Sequence, residues 1–331
     1  MSQTTIPKPP ETGLAPPEAA LRFPGTKPRM LLIVNPWATS VSARLKNLVV
    51  YALRGRYDIE AVETQARDHA TALTREAVGE GFDLVVAFGG DGTLNEVVNG
   101  IAGSEVPVSV LPGGCTNVVC RMLGIPTDVV DATEHLLHLS DDLRPRRIDL
   151  GRVNGRCFVF SSGVGIDAEA TEWVDSRPWL KSRSGDLAFT IAAVQSFVRN
   201  YRAKPPSMAV EIGAERVEGV SAMIQNSDPF TYFGSRPLRL CEDISIDNGA
   251  LSLLLMRRAT TLDAPGVLRQ LFSRNGRLAY HRRARSFTQV QQARVVAVGS
   301  RPLPIEVDGD YIGTAEEFIY EAAPGALLVV A

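Results

Sequence analysis

Val85-Val86-Ala87-Phe88-Gly89-Gly90-Asp91-Gly92-Thr93-Leu94-Asn95-Glu96 decides how the rest of this chain is read. An apolar run of strand character passes through three glycines and one acid into a segment with helical spacing. The glycines at 89, 90 and 92 are expected to adopt positive φ and bring the backbone close to a ligand. Thr93 is expected to open a helix whose free N–H groups and dipole favour an anion. A carboxylate at Asp91 repels phosphate unless a divalent cation lies between them, so the turn reads as a site for a nucleotide bound with Mg²⁺. A tight connection with a capping Asp91 explains the same residues without a ligand. The stretch is neither a Walker loop, since no Gly-Lys-Ser/Thr follows, nor Gly-x-Gly-x-x-Gly.

Around this junction strand-like runs at residues 30–34, 59–63, 84–88 and 108–111 alternate with helical spacing at 42–53, 70–78, 94–101 and 117–123. The alternation predicts a doubly wound α/β domain with a parallel sheet. Ligands bind such sheets at the carboxyl ends of the strands, where Asn35-Pro36, residues 89–93 and residues 112–117 all fall. The second glycine turn, Pro112-Gly113-Gly114-Cys115-Thr116-Asn117, reads alone as a capped helix start. Beside the first, it offers a second helix N-terminus for an adjacent phosphate.

After a helical stretch at 128–139 the pattern changes to hairpins. Residues 147–153 and 156–161 flank Asn154-Gly155, and runs at 208–212, 219–225, 250–256, 293–298 and 304–307 are also strand-like. Helices are expected at 187–201, with Ser184 and Asp186 as caps, and at 262–272. The division is therefore a tail at 1–28, an α/β domain at 29–145 and a β-rich sandwich at 146–331. Seven prolines and few large apolar residues mark the tail as disordered.

The chain has 331 residues, 45% of them hydrophobic, and a net charge of −2. It is long enough for two cores and carries no global field for nucleic acid. Cys115, Cys120, Cys157 and Cys241 have neither metal-ligand spacing nor the density of a disulfide scaffold, which fits a reducing cytoplasm. No run approaches eighteen apolar residues and no signal pattern opens the chain. His69, His135, His138 and His281 lack the partners of a zinc site, and no Ser-His-Asp arrangement is visible. Between 257 and 285 stand eight arginines and one acid, Asp263, interspersed with apolar residues. They read as a solvated basic face or as contact with anionic lipid.

Two further acidic turns are ambiguous. Val307-Asp308-Gly309-Asp310 reads locally as a type I′ hairpin turn, yet a phosphoryl transfer needs such carboxylates. Ser245-Ile246-Asp247-Asn248-Gly249-Ala250 reads as an Asx turn or as oxygen ligands for a cation.

Together these stretches resemble the diacylglycerol kinase catalytic-domain superfamily, bacterial lipid kinases related to sphingosine and ceramide kinases. The carriers are Val34-Asn35-Pro36, Thr64, residues 89–100, residues 111–126, Ile148-Asp149-Leu150-Gly151, residues 163–168, residues 247–251 and Val307-Asp308-Gly309-Asp310. The resemblance implies ATP and Mg²⁺ as cofactors in the first domain, a lipid substrate in the second and catalysis between them. It implies that Asn35, Pro36, Thr64, Gly90, Asp91, Gly92, Thr93, Leu94, Asn95, Glu96 and Cys115 line the nucleotide, with Asp91 on its Mg²⁺–phosphate side. Asp308 would be the general base, and Asp310 would help hold the catalytic Mg²⁺. Ser245, Asn248 and Ala250 match a structural Mg²⁺ site.

Three positions depart from the pattern: Cys115 stands for Thr, Val118 for Asp, and Asn248 for an Asp. The expected activity is ATP-dependent phosphorylation of the free hydroxyl of diacylglycerol or a related lipid. It would proceed in the cytoplasm at the inner membrane surface, without nucleic acid, by a chain that is free to form a homodimer. The alternatives are a soluble kinase of NAD or sugar-phosphate type and a non-catalytic lipid-binding protein on the same fold.

Overall fold

Leucine, valine and isoleucine dominate the first strands, and strands covered on both faces must be apolar along their whole length. The computed structural model describes residues 17–331 apart from 22, 24, 25, 166, 167, 170, 173–206, 259, 261, 274 and 275. In it β3 (Leu84–Gly89) and β4 (Val108–Pro112) are wholly buried, and β1 (Arg29–Val34) is buried after its first residue. The edge strand β2 (Asp58–Glu63) is largely exposed. The four pair in parallel in the order β2-β1-β3-β4. Helices α1 (Ala43–Leu53), α2 (His69–Gly79), α3 (Asp91–Ile101), α4 (Val118–Leu123) and α5 (Val129–Leu139) complete the expected α/β domain. Ser42 and Asp128 cap α1 and α5 with their side-chain oxygens. Helix α3 starts three residues before the predicted 94, because extended Gly90 is its N-cap and Asp91-Gly92-Thr93 form its first turn.

The second half is a sandwich, as its alternating runs predict. One layer is an antiparallel sheet of β14 (Ala284–Val290), β13 (Leu251–Met256), β10 (Ser221–Gln225), β7 (Ser161–Gly165), β16 (Leu303–Val307) and β17 (Asp310–Ala315), in that order. The other contains β5 (Arg146–Val153), β6 (Arg156–Phe158), β8 (Met208–Ile212), β9 (Glu215–Gly219), β15 (Gln292–Ala297) and β18 (Glu317–Val329). Phe158, Val164, Met208, Ile224, Leu253, Val295, Ile305 and Phe318 fill the space between them. A hairpin of β11 (Thr231–Phe233) and β12 (Arg236–Leu238) stands apart. Helix α6 (Ala264–Phe272) places Val267 in a satellite core with Met223, Leu254 and Met256.

Several expectations change. The run 219–225 is two strands in different sheets: Gly219 pairs with Met208, while Ser221 pairs with Gly165. A Cβ at Gly219 would meet the Met256 carbonyl at 2.7 Å, so only glycine lets the chain turn that corner. The run 156–161 likewise divides into β6 and the start of β7. Of the stretch read as a tail, the Glu18 and Leu21 N–H groups bond the Pro145 and Leu143 carbonyls, and Glu18 pairs with Arg147. The helix expected at 187–201, with its caps Ser184 and Asp186, lies outside the described residues.

The sequence places its division at 145, yet the last strand crosses it. β18 pairs with β5 and β15, bends at a register shift between Ala323 and Leu327, and ends parallel to β4 with Val329 beside Val108. Leu327, Val329 and Val330 belong to the same core as β1, β3 and β4. Sheet and core thus run unbroken from one half into the other. Among the described residues no helix is long and apolar enough to cross a membrane.

Candidate active site

Both glycine turns lie at the carboxyl edge of the parallel sheet, and they pack on each other. A Cβ at Gly113 would lie 2.9 Å from the Gly89 Cα, and one at Gly114 would lie 2.8 Å from the Gly90 Cα. The Gly113 N–H donates to the Gly89 carbonyl at 2.7 Å. Gly89, Gly90 and Gly92 do not have the positive φ expected of them. They are required because an added Cβ would meet the Thr93 side chain at Gly89, the Gly114 backbone at Gly90 and the Asp310 carboxylate at Gly92. Asn35 ties the turn after β1 into the group, donating from Nδ2 to the Thr93 hydroxyl at 2.9 Å and accepting the Trp37 N–H at 3.0 Å.

Asp91 corrects the expectation of two phosphate-binding helix ends. Its Oδ2 accepts the Val118 N–H at 3.0 Å and its Oδ1 the Val119 N–H at 3.2 Å. The first turn of α4 is therefore occupied by a protein carboxylate, and Val118 contributes a backbone donor. Helix α3 begins at Gly90, an N-cap with no capping side chain. Burial pushes the Asp91 carboxyl up to about 6; the two amides oppose the shift, and the charges of Asp308 and Asp310 add to it.

Asp308 arrives from the last third of the chain. Asp308 and Gly309 both have positive φ, 48° and 81°, as the two central residues of a type I′ turn between β16 and β17 require. The local hairpin reading is correct, and the turn also builds a site. In this left-handed conformation the carboxylate faces the β6–β7 connection, where Oδ2 accepts the Val159 N–H at 2.8 Å. Oδ1 accepts those of Phe160 and Ser161 at 3.0 and 3.2 Å. Asn95 of α3 supplies a fourth donor, Nδ2 to Oδ2 at 2.8 Å. Burial pushes the Asp308 carboxyl up to about 6 against these donors, which pull it down.

Asp91, Asp308, Asp310, Asn35, Thr93 and the glycines therefore gather at one place, with Thr64 buried at the end of β2 and Cys115 exposed on the second turn. Others of the expected nucleotide-lining set turn elsewhere. Leu94 is a core residue, 3% exposed. Glu96 accepts the Ala70 N–H at 3.1 Å and so caps α2. Asn95, 2% exposed, spends its amide on Asp308 and on the Cys157 carbonyl. Sequence reading missed Arg156, Asn99 and Arg67. Arg156 donates to Asn95 at 2.9 Å, Asn99 bonds both the N–H and the carbonyl of Cys157, and Arg67 donates to the Tyr311 carbonyl at 2.8 Å. The only local signals were a cation after the Asn154-Gly155 turn and an amide one helical turn beyond Asn95.

Oxygen donors and surplus negative charge at Asp91, Asp308 and Asp310 suit a hard cation brought in with phosphates, although among the described residues no three His, Cys, Asp or Glu side chains already converge as a ligand set. The structural Mg²⁺ site fits poorly. Asn248 accepts the Ala250 N–H at 3.2 Å, donates from Nδ2 to the Asp243 carbonyl at 3.2 Å and bonds the Ser245 carbonyl through its own N–H at 3.3 Å. Ser245 donates its hydroxyl to Asp247. A neutral amide thus closes this loop with hydrogen bonds of its own.

The arginine-rich stretch is less cationic in three dimensions than in sequence. Asp263 pairs with Arg282 and Arg283, Glu215 with Arg285, and Asp228 with Arg277. Arg257, Arg258 and Arg269 are exposed, and so is Leu262, at 87%.

Known proteins share this fold. The family described as "Diacylglycerol kinase catalytic domain" matches residues 29–153, and the "YegS C-terminal NAD kinase beta sandwich-like domain" matches 161–331. A diacylglycerol kinase of Bacillus subtilis is 28% identical over 263 residues, 78% of this chain and 80% of its own length. One from Staphylococcus aureus is 27% identical over 299 residues, 86% of this chain and 87% of its own. A diacylglycerol kinase crystal structure from Bacillus anthracis superposes with a TM-score of 0.70 at 20% identity, covering 91% of this chain and 96% of that one. With both halves matched in order and a glycine-acid turn facing an Asp-Gly-Asp hairpin, the chain belongs to the diacylglycerol kinase catalytic-domain superfamily and is a lipid kinase of that type.

Proposed function

We propose that this enzyme transfers the γ-phosphoryl group of ATP to the free hydroxyl of diacylglycerol or a closely related lipid, with Asp308 as general base. The observation that carries the reading is the Asp308 carboxylate, brought from the far end of the chain to the helix that follows the first glycine turn and held there by four N–H donors. A base acts best when its pKa lies near the working pH. At about 6, Asp308 is ionised at neutral pH and holds a proton better than a solvated carboxylate does.

The other roles follow from position. The uncapped first turn of α3 presents N–H groups and the positive end of its dipole to the phosphates. Asn35 fixes Thr93 beside them, and Asp91 locks the second glycine turn against the first. Asp310, lying over Gly92, is the residue best situated to hold Mg²⁺. That ion, when bound, neutralises phosphate charge. The acceptor hydroxyl gives Asp308 a proton as its oxygen attacks the γ-phosphorus, and the bond from that phosphorus to the β-phosphate oxygen breaks to release ADP. Because the substrate is a lipid, the protein works in peripheral contact with the inner membrane surface, and Arg257, Arg258, Arg269 and Leu262 are the side chains suited to meet anionic headgroups.

The test is Asp308→Asn, assayed for ATP-dependent phosphorylation of detergent-dispersed diacylglycerol. Loss of a general base costs about 10²–10⁴ in rate, so kcat is expected to fall at least about a hundredfold while ATP binding by calorimetry persists. Wild-type turnover by that variant would overturn the base. Phosphorylation of NAD with none of diacylglycerol would favour the soluble-kinase alternative.

A further inference from the structure

We propose that Arg156 is a positioning residue for Asp308, acting through the side chain of Asn95; the inference rests on the reading of Asp308 as the base. An Asn amide has two ends of nearly equal shape and opposite chemistry, and only its NH₂ end can face a carboxylate. The neighbours of Asn95 decide which end does. Its Nδ2 meets two acceptors, Asp308 Oδ2 at 2.8 Å and the Cys157 carbonyl at 3.0 Å. Its Oδ1 meets two donors, Arg156 Nη2 at 2.9 Å and Asn99 Nδ2 at 3.2 Å. Asn99 is itself held one way round by the Cys157 N–H and carbonyl, and a guanidinium has no acceptor at all. Arg156 is therefore the charged and shortest donor among the groups that fix the orientation of Asn95, and through it the fourth donor of Asp308.

The arrangement spans both halves of the chain. Arg156 stands on β6, and its Nη1 lies 3.5 Å from Asp68 in the loop before α2. Asn95 belongs to α3, and Asp308 to the β16–β17 turn. The Arg156–Asp68 pair alone offers little stability, being long and exposed on the Asp68 side. The shorter, charge-assisted bond goes to the 2%-exposed Asn95. A cation behind the amide also polarises it toward the carboxylate. Arg156 touches neither phosphate nor acceptor in this scheme. It keeps the Asn95 NH₂ group on Asp308, and its removal leaves the base held by the three backbone donors with its fourth loosened.

This account predicts a specific split in the kinetics of the full-length enzyme. Arg156→Gln is expected to lower kcat for phosphorylation of dispersed diacylglycerol by about tenfold or more while KM for ATP stays within about twofold, the signature of an interaction felt in the transition state. Arg156→Lys, which restores a cationic donor, is expected to recover most of that loss. The readout independent of turnover is the Asn95 side-chain NH₂ resonance, assigned by its disappearance in Asn95→Asp. It should move upfield toward a solvated amide in Arg156→Gln and return in Arg156→Lys. Wild-type kcat in Arg156→Gln, an equal rise in KM for ATP, or an unmoved Asn95 resonance would each overturn the proposal. If Arg156→Gln fails to fold, the kcat and Asn95 resonance of Arg156→Lys decide, since wild-type values with the cation kept support the relay and a tenfold loss with an unmoved resonance sinks it. Asp308→Asn separates the two readings. An active Asp308→Asn removes the base and the relay with it, whereas an inactive Asp308→Asn beside a fully active Arg156→Gln removes the relay alone.

Discussion

Asp308 shows how far one residue's neighbours can change its meaning. As a residue between Val307 and Gly309 it is an ordinary hairpin acid, and its positive φ agrees with that reading. Its chemistry comes from Val159, Phe160, Ser161 and Asn95, between 147 and 213 positions away in the chain. In the metal-free protein the ¹³C carboxyl resonances of Asp308 and Asp91 are expected to titrate near 6. As the two sense each other, the midpoints belong to the pair. The sign is fixed by the role: base function needs the ionised carboxylate, so it is complete above that pH and lost as the pH falls through it. A midpoint near the ordinary value of 3.8 would contradict the buried environment. Gly92 gives a second prediction at this scale. A Cβ there collides with the Asp310 carboxylate, so Gly92→Ala is expected to displace Asp310 and lower kcat by tenfold or more, about 1.4 kcal/mol in the barrier. Steady-state assay beside a thermal melt checks that the loss is local.

At the scale of elements, the glycine turns were legible as the edge of a nucleotide site, but the reason for their glycines was not. Positive φ is a local property that a sequence can signal. The contact of Gly113 with Gly89 and of Gly114 with Gly90 joins two turns separated by a strand and a helix. Gly114→Ala must push those turns apart, and overpacking of this kind costs about 1–3 kcal/mol. A lower thermal midpoint with a raised KM for ATP is the expected result; an unchanged midpoint would mean that the turns can separate freely. The division of residues 219–225 between two sheets has the same origin. A run of strand-forming residues announces extended backbone and says nothing of which partner each half will find. The loop at 243–250 adds a chemical case: Asn248 was read as a weakened metal ligand, whereas its NH₂ group holds the Asp243 carbonyl, a bond a carboxylate in its place could not make.

For the whole molecule, the governing feature is β18, which begins in the sandwich and ends beside β4. Leu327, Leu328, Val329 and Val330 are all at most 3% exposed. At about 1.5–3 kcal/mol for each buried aliphatic side chain, their loss rivals the 5–15 kcal/mol stability of a typical domain. Deleting residues 327–331 is therefore expected to unfold the α/β half as well as the sandwich. Circular dichroism and tryptophan fluorescence should report one shared, strongly lowered transition rather than a surviving half. From its sequence alone the protein was determined to be an α/β unit followed by a β sandwich, with a phosphate-binding turn at 89–93 and acids near its end. Apolar period, turn chemistry and glycine runs are local properties, carried within a dozen residues. Only the tertiary structure decided that Asp91 caps α4, that Arg156 bonds Asn95 and Asn95 bonds Asp308, and that the last strand closes the first sheet. Each of these joins groups far apart in the chain, and burial and hydrogen-bond geometry, which select among such pairings, exist only once the chain has folded.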